Sequence, residues 1–326
     1  MGTLVVDRKD CRLELDGQAL VLRVPGEPVR HVPSALLERV VLHAGVIMDT
    51  RVVGHLAERG VGMLILDGRR AQRMATLVGV PHRDVRLRIA QVRRLDDPQF
   101  ADAWCRRVVD AKLRSQHRLL RQAARQRPDL RRPLRSAMTT IDQCRRRLDG
   151  TRGPDGLRGL EGAAAAAYFR GFAALFPPSL GFHARKRRPP PDPVNACLSL
   201  GYTLLHGMAV QACHQQGLDP MVGYLHAPLH GRASLACDLM EPWRTQVDAL
   251  VWRLFRERIL TADSFGNDGS GACLLGKAGR RHFHGHWAQH AAALQRAMRR
   301  HARLAPRALG ESDGSDTRGA GIGSPP

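Results

Sequence analysis

The chain opens on short runs in which apolar residues alternate or cluster between turn residues, and that pattern predicts strands. TLVVD, CRLEL and ALVLRV come first, and the Asp16-Gly17 step between the second and third is a hairpin signal. VRHVP and LERVVL follow, then a helix-like stretch near Arg51 to Arg59, then GMLILD and ATLVG. Beyond Arg83 the apolar period lengthens to that of a helix. Between Asp97 and about Gln126, Phe100, Trp104, Val108, Leu113, Leu119 and Leu120 fall close to a helical repeat with basic residues between them, as in a helix that packs on others. RQRPDLRRPLR reads as an exposed connector leading to a short helix. A further helix is predicted from Gly156 to Phe176, stopped by Pro177-Pro178. Asp192-Pro193 supplies an N-cap with proline at the first helical position, for a helix through about Gln215. Helices around Val247 to Ile259 and from about Gly279, with a β-like or irregular patch near Gly266 to Leu275, complete the pattern.

The expected fold class is therefore α+β. A small β-rich domain occupies residues 1–80, a linker 81–96, and a larger all-α domain 97–305. Residues 306–326 are polar and Gly-rich, which predicts a disordered tail.

Charge changes the picture more than composition does. Lys and Arg total 51 against 30 acidic residues, a formal net charge of +21, and a polyanion such as nucleic acid relieves self-repulsion of that size. Only Lys9, Lys112, Lys186 and Lys277 are lysines; coding bias towards Arg, Ala, Gly and Pro explains that choice but not the shortage of acids. Seven cysteines with no CxxC pair argue against a disulfide framework or a cysteine zinc site. With charges where a signal peptide needs an apolar core, and no run of the ~18 residues that a membrane span requires, the expectation is a soluble cytoplasmic protein with no membrane partner.

Several residues stand out in the helical half. Glu161 lies in LRGLEGAAAAAYF, where small neighbours leave room for a ligand or a nucleic-acid strand; a solvated helical carboxylate is the plainer alternative. His226 sits in the Gly- and Pro-rich stretch GLDPMVGYLHAPLHG, a loop setting that suits a metal ligand, although most of the 15 histidines need no such role. Asp238 and Glu241 in SLACDLMEPWR are spaced i, i+3. On a helix that spacing makes either a paired-carboxylate cation site or a capping box, and spacing alone leaves both open.

Four further features have a plain reading beside a functional one. The loop HARKRRPPP offers Arg185, Lys186, Arg187 and Arg188 as phosphate contacts, or as a solvated charge run. Tyr168, seven residues after Glu161, faces nearly the same way, for DNA contact or for core packing. Asn195 reads as a cap-region hydrogen-bonding residue. His286 and His290 in HFHGHWAQH have i, i+4 zinc spacing without an evident third ligand.

Three blocks decide between these readings by resemblance. GLRGLEGAAAAAYF, RKRRPPPDPVNACLSLGYTLL and GLDPMVGYLHAPLHGRASLACDLMEPWR resemble, in order, the signature blocks of the CRISPR-associated Cas-one family, the spacer-integrating nucleases. Weaker likeness runs through the β-rich start, RLRIAQVRR, AKLRSQHRLL and LTADSFGNDGSGACLLGKAGRRHF. The resemblance implies a β-rich N-terminal domain, an α-helical catalytic domain, and a metal held by Glu161, His226 and Glu241 with Asp238 adjacent. Mg²⁺ or Mn²⁺ is the expected cofactor. Ala-Pro-Leu-His follows His226 where relatives often carry an acidic residue. It further implies a homodimer, a heterohexamer with the small ferredoxin-like Cas-two companion, and double-stranded or branched DNA as partner. The implied reaction is attack of a spacer 3′-hydroxyl on repeat DNA with no covalent enzyme intermediate. A non-catalytic DNA-binding scaffold and a branched-DNA repair nuclease using the same site are the competing readings.

Overall fold

The computed structural model describes residues 2–309 except 9, 44, 68–72, 81, 83, 188 and 270, so residues 310–326 of the expected tail lie outside the described residues. Its architecture is α+β, with strands early in the chain and helices after them. The strands are β1 (Gly2–Val6), β2 (Cys11–Asp16), β3 (Ala19–Arg23), β4 (Arg30–Pro33), β5 (Leu37–His43), β6 (Val46–Met48), β7 (Gly62–Leu66) and β8 (Arg73–Leu77), with helix α1 (Thr50–Glu58) between β6 and β7. β2 and β3 form the expected hairpin: Asp16 pairs with Ala19, and Gly17 takes the left-handed conformation that such a tight turn requires.

Two four-stranded sheets result, in the orders β1-β5-β7-β8 and β4-β3-β2-β6. In the first, β1, β5 and β7 run parallel and β8 antiparallel. Parallel strands are stable when covered on both faces, and LERVVLH satisfies this by alternation. Val40 and Leu42 join the core between the sheets and α1, while Val41 packs with the helices. Leu64 and Leu66 of β7 also lie in the helical core.

Within the stretch expected to be a linker lies α2 (Arg86–Arg93). Then come α3 (Pro98–Gln126), α4 (Arg131–Arg146), α5 (Gly153–Ala173), α6 (Pro193–Gln215), α7 (Ser234–Met240), α8 (Arg244–Arg256), the strands β9 (Phe265–Asn267) and β10 (Cys273–Leu275), α9 (Lys277–Ala302) and α10 (Leu304–Ala308). The last of these runs into the segment expected to be tail. Asp97 caps α3 by accepting from the Phe100 N–H at 3.0 Å, and Asp192 caps α6 by accepting from the Asn195 N–H at 2.8 Å. α6 is buried on nearly every side, as a helix without a polar face must be, and so sits at the centre. A Cβ on Gly171 of α5 would stand 2.8 Å from Ala137 Cβ of α4; glycine there lets the two helices approach closely. No described helix is long and apolar enough to cross a membrane.

Candidate metal and nucleic-acid site

Four separate segments meet at the candidate site. α3 supplies Lys112 and Trp104, and α5 supplies Glu161. The loop after α6 supplies His226, and α7 with the single 3-10 turn Glu241–Trp243 supplies Asp238 and Glu241. The capping-box alternative is not realised, because Asp238 lies inside α7 and its side chain bonds to the His226 loop. The loop reaches α7 at close quarters: a Cβ on Gly223 would meet the Ser234 carbonyl carbon at 2.5 Å and the Leu235 nitrogen at 2.7 Å. Only glycine fits there.

Asp238 is fully buried and gathers the loop around its carboxylate. Oδ2 accepts from the Tyr224 N–H (2.9 Å), the Leu225 N–H (3.1 Å) and Trp104 Nε1 (3.3 Å). Oδ1 accepts from the His226 N–H (3.0 Å) and from His226 Nδ1 (2.7 Å). A carboxylate can only accept, so it fixes the proton on Nδ1 and leaves Nε2 with a lone pair for a ligand. Both oxygens of Asp238 are occupied, which makes it the residue that orients His226.

His226 Nε2 stands 4.0 Å from Glu241 Oε1. Glu241 is 2% exposed, and burial pushes its carboxyl up, but Arg244 and Lys112 overcome that effect and hold it at about 2. Arg244 Nε donates to Oε1 at 2.8 Å. Oε2 faces the Lys112 ammonium at 2.6 Å. The same ammonium pairs with Glu161 Oε1. Two carboxylates from different helices therefore face one buried cation, with the His226 imidazole beside them. Among the described residues no three His, Cys, Asp or Glu side chains gather closely enough to hold an ion outright; Lys112 stands between Glu161 and Glu241.

The donor set nonetheless suits a hard divalent ion. It consists of one imidazole nitrogen, a buried carboxylate that stays ionised, and a second carboxylate across a cation.

The basic loop is built onto the same region. Asn195, fully buried, accepts through Oδ1 from Arg185 Nη1 and the Lys186 N–H, both at 2.9 Å, and donates to the Ala184 carbonyl at 2.9 Å. Arg185 also donates to Ser199 Oγ (3.1 Å) and lies 5.3 Å from the centre of the Tyr202 ring, whose other cationic neighbour is Arg244 at 4.7 Å. Arg185 is thus an anchor, whereas Lys186 and Arg187 are exposed and Arg188 lies outside the described residues. Tyr168 does not suit the DNA-contact reading, because it is fully buried and donates to Asp248 Oδ2 at 2.7 Å, while Tyr202 donates to Oδ1 at 2.5 Å. Burial pushes the Asp248 carboxyl up to about 6 despite these bonds. His290 Nδ1 donates to the His286 carbonyl at 3.0 Å, a local helical contact.

Sequence reasoning missed Lys112, Arg244 and Asp248. Lys112 carried one signal: it interrupts the apolar face of α3 next to Val108, Val109 and Leu113 in a chain with four lysines.

Residues 4–289 match the family model described as CRISPR associated protein Cas1. The chain is 35% identical over 286 residues to a CRISPR-associated endonuclease Cas1 of Thermodesulfovibrio yellowstonii, spanning 87% of this chain and 89% of that protein. In fold it is similar to a casposase solved bound to its integration product, with a TM-score of 0.81 at 19% identity over 99% of this chain and 96% of the other. It is also similar to part of a Cas6-RT-Cas1–Cas2 complex, with a TM-score of 0.78 at 23% identity over 94% of this chain, although it spans only 34% of that longer chain. By the family model and by identity to such relatives, the chain belongs to the Cas1 family.

Proposed function

We propose that this protein is the integrase of CRISPR adaptation, joining the 3′-hydroxyl end of a new spacer to repeat DNA by transesterification. The observation that carries the proposal is that Glu161 and Glu241, from distant segments, share the Lys112 ammonium while His226 Nε2 lies 4.0 Å from Glu241 Oε1. Glu161, His226 and Glu241 would hold Mg²⁺ or Mn²⁺, which when bound polarises the scissile phosphate and stabilises charge growing on its oxygens. The chain's own side chains do the rest. Asp238 keeps the His226 lone pair available, and Arg244 keeps Glu241 ionised. Lys186 and Arg187 contact DNA phosphates from a loop that Asn195 fixes in place, positioning the duplex without reading its sequence. The net charge of +21 supports a polyanionic substrate.

Residues 1–80 would serve dimerisation and 97–305 catalysis. Two dimers would flank a small Cas2-type companion, a partnership supported by the likeness in fold to part of the Cas6-RT-Cas1–Cas2 complex. Strand transfer of a labelled spacer into a repeat-bearing plasmid with MnCl₂ tests the assignment. Glu161→Ala and His226→Ala are each expected to abolish product while mobility-shift DNA binding persists. Integration by either variant at the wild-type rate overturns the site.

A further inference from the structure

Lys112 is an unusual resident of the helical core. It is 7% exposed, on a helix face shared with Val108, Val109 and Leu113, and a lysine so placed is costly unless it is paired. Its partners are Glu161 on α5 and Glu241 at the end of α7, so its ammonium joins two elements that otherwise present like charges to each other. The ammonium donates to Glu161 Oε1 and lies 2.6 Å from Glu241 Oε2, so one lysine serves both carboxylates.

The two carboxylates facing Lys112 are those the proposed function assigns to a divalent ion, and the inference rests on that reading. A divalent cation bound to both would stand within a few ångströms of the ammonium, where repulsion in a poorly solvated site is strong. Both cations cannot keep the same partners. We propose that Lys112 is a resident counter-ion of the metal site: its ammonium holds Glu161 and Glu241 together before an ion arrives, and Mg²⁺ or Mn²⁺ binds by displacing it. The four-carbon stem lets Nζ withdraw without moving α3. Lys112 is thus a positioning residue with two effects. It prevents the carboxylates from separating in the metal-free protein, and it weakens ion binding by competition.

The decisive measurement is made on the wild-type chain. The full chain contains four lysines, so ¹⁵N-lysine labelling gives four ammonium signals. One, assigned by its absence in Lys112→Met, is expected to be protected from solvent exchange in the metal-free protein. Titration with MgCl₂ is expected to shift or exchange-broaden that signal in step with ion binding followed by calorimetry. Ion binding that leaves the signal protected and unshifted overturns the proposal while sparing the metal site; no ion binding at all sinks both. In the second arm, Lys112→Met is expected to melt at a lower temperature without metal and to bind Mn²⁺ about ten- to a hundredfold tighter. Its melting temperature should recover on adding MnCl₂. A folded Lys112→Met that binds Mn²⁺ no tighter than wild type shows that the lysine does not compete, and refutes the idea.

Discussion

Replacing Asp238 with asparagine separates orientation from coordination at the site. The side chain keeps its shape, but one acceptor oxygen becomes an NH₂ group. Oδ2 serves three donors and Oδ1 two, so the remaining oxygen should stay with Tyr224, Leu225 and Trp104. The amide NH₂ then faces the His226 N–H and Nδ1. The backbone N–H loses its acceptor, and a stranded buried donor costs about 1–3 kcal/mol. The charge-assisted bond to the imidazole is lost as well, for a total of about 2–5 kcal/mol. More consequential is the tautomer. Nδ1 can only accept from the new amide, the ring proton moves to Nε2, and the nitrogen facing Glu241 no longer has a lone pair to offer. Loss of such an orienting partner typically weakens metal binding about 10–100-fold. Urea unfolding followed by circular dichroism gives the first quantity, and calorimetric titration with Mn²⁺ the second. A folded Asp238→Asn protein with wild-type Mn²⁺ affinity would refute the orienting role.

Other outcomes follow from the same geometry. Asp248 has its carboxyl raised from 3.8 to about 6 by burial, so the stability it contributes is full below pH 3.8 and is lost as pH rises through 6. Asp248→Asn does not titrate, and should gain on the wild type by about 2 kcal/mol between pH 4 and pH 8 in urea unfolding; a pH-independent difference contradicts the shift. Gly223→Ala drives a Cβ into the Ser234–Leu235 backbone and should displace α7, so Mn²⁺ binding should fall together with stability. Lys186→Ala and Arg187→Ala should each reduce the slope of log K for DNA against log salt by about 0.9 with melting temperature unchanged. Arg185→Ala should instead lower the melting temperature, since its guanidinium is bound to Asn195 and Ser199.

Local rules carried the chain's outline. The apolar period marked β5, β7 and α3, the DG step marked the β2–β3 turn, and Asp192-Pro193 marked the start of α6, because each signal is contained in a few neighbouring residues. The stretch over 81–96 was less legible: Val85, Ile89 and Val92 leave an exposed apolar edge on α2, and its arginines dilute the helical pattern. β6 is three residues long and owes its existence to pairing with β2. At the site, the family blocks pointed to Glu161, His226, Asp238 and Glu241, but not to the division of labour among them. That Asp238 serves five donors depends on how a loop closes over α7. Lys112 and Arg244 matter only because α3 and α8 bring them to Glu241 from more than a hundred residues away on one side and three on the other.

The two-faced burial of β5 and β7 bears on how this chain can be engineered. Val41, Leu64 and Leu66 rest on the helices, with Leu64 against the backbone of Gly207 in the central helix, and Gln211 lies under Gly62. Cutting the polypeptide after β8 would strip an oily floor from α6 and leave it facing water. A fragment beginning at α2 should therefore precipitate or self-associate, and grafting the helical half onto another protein would demand a replacement lid of matching shape.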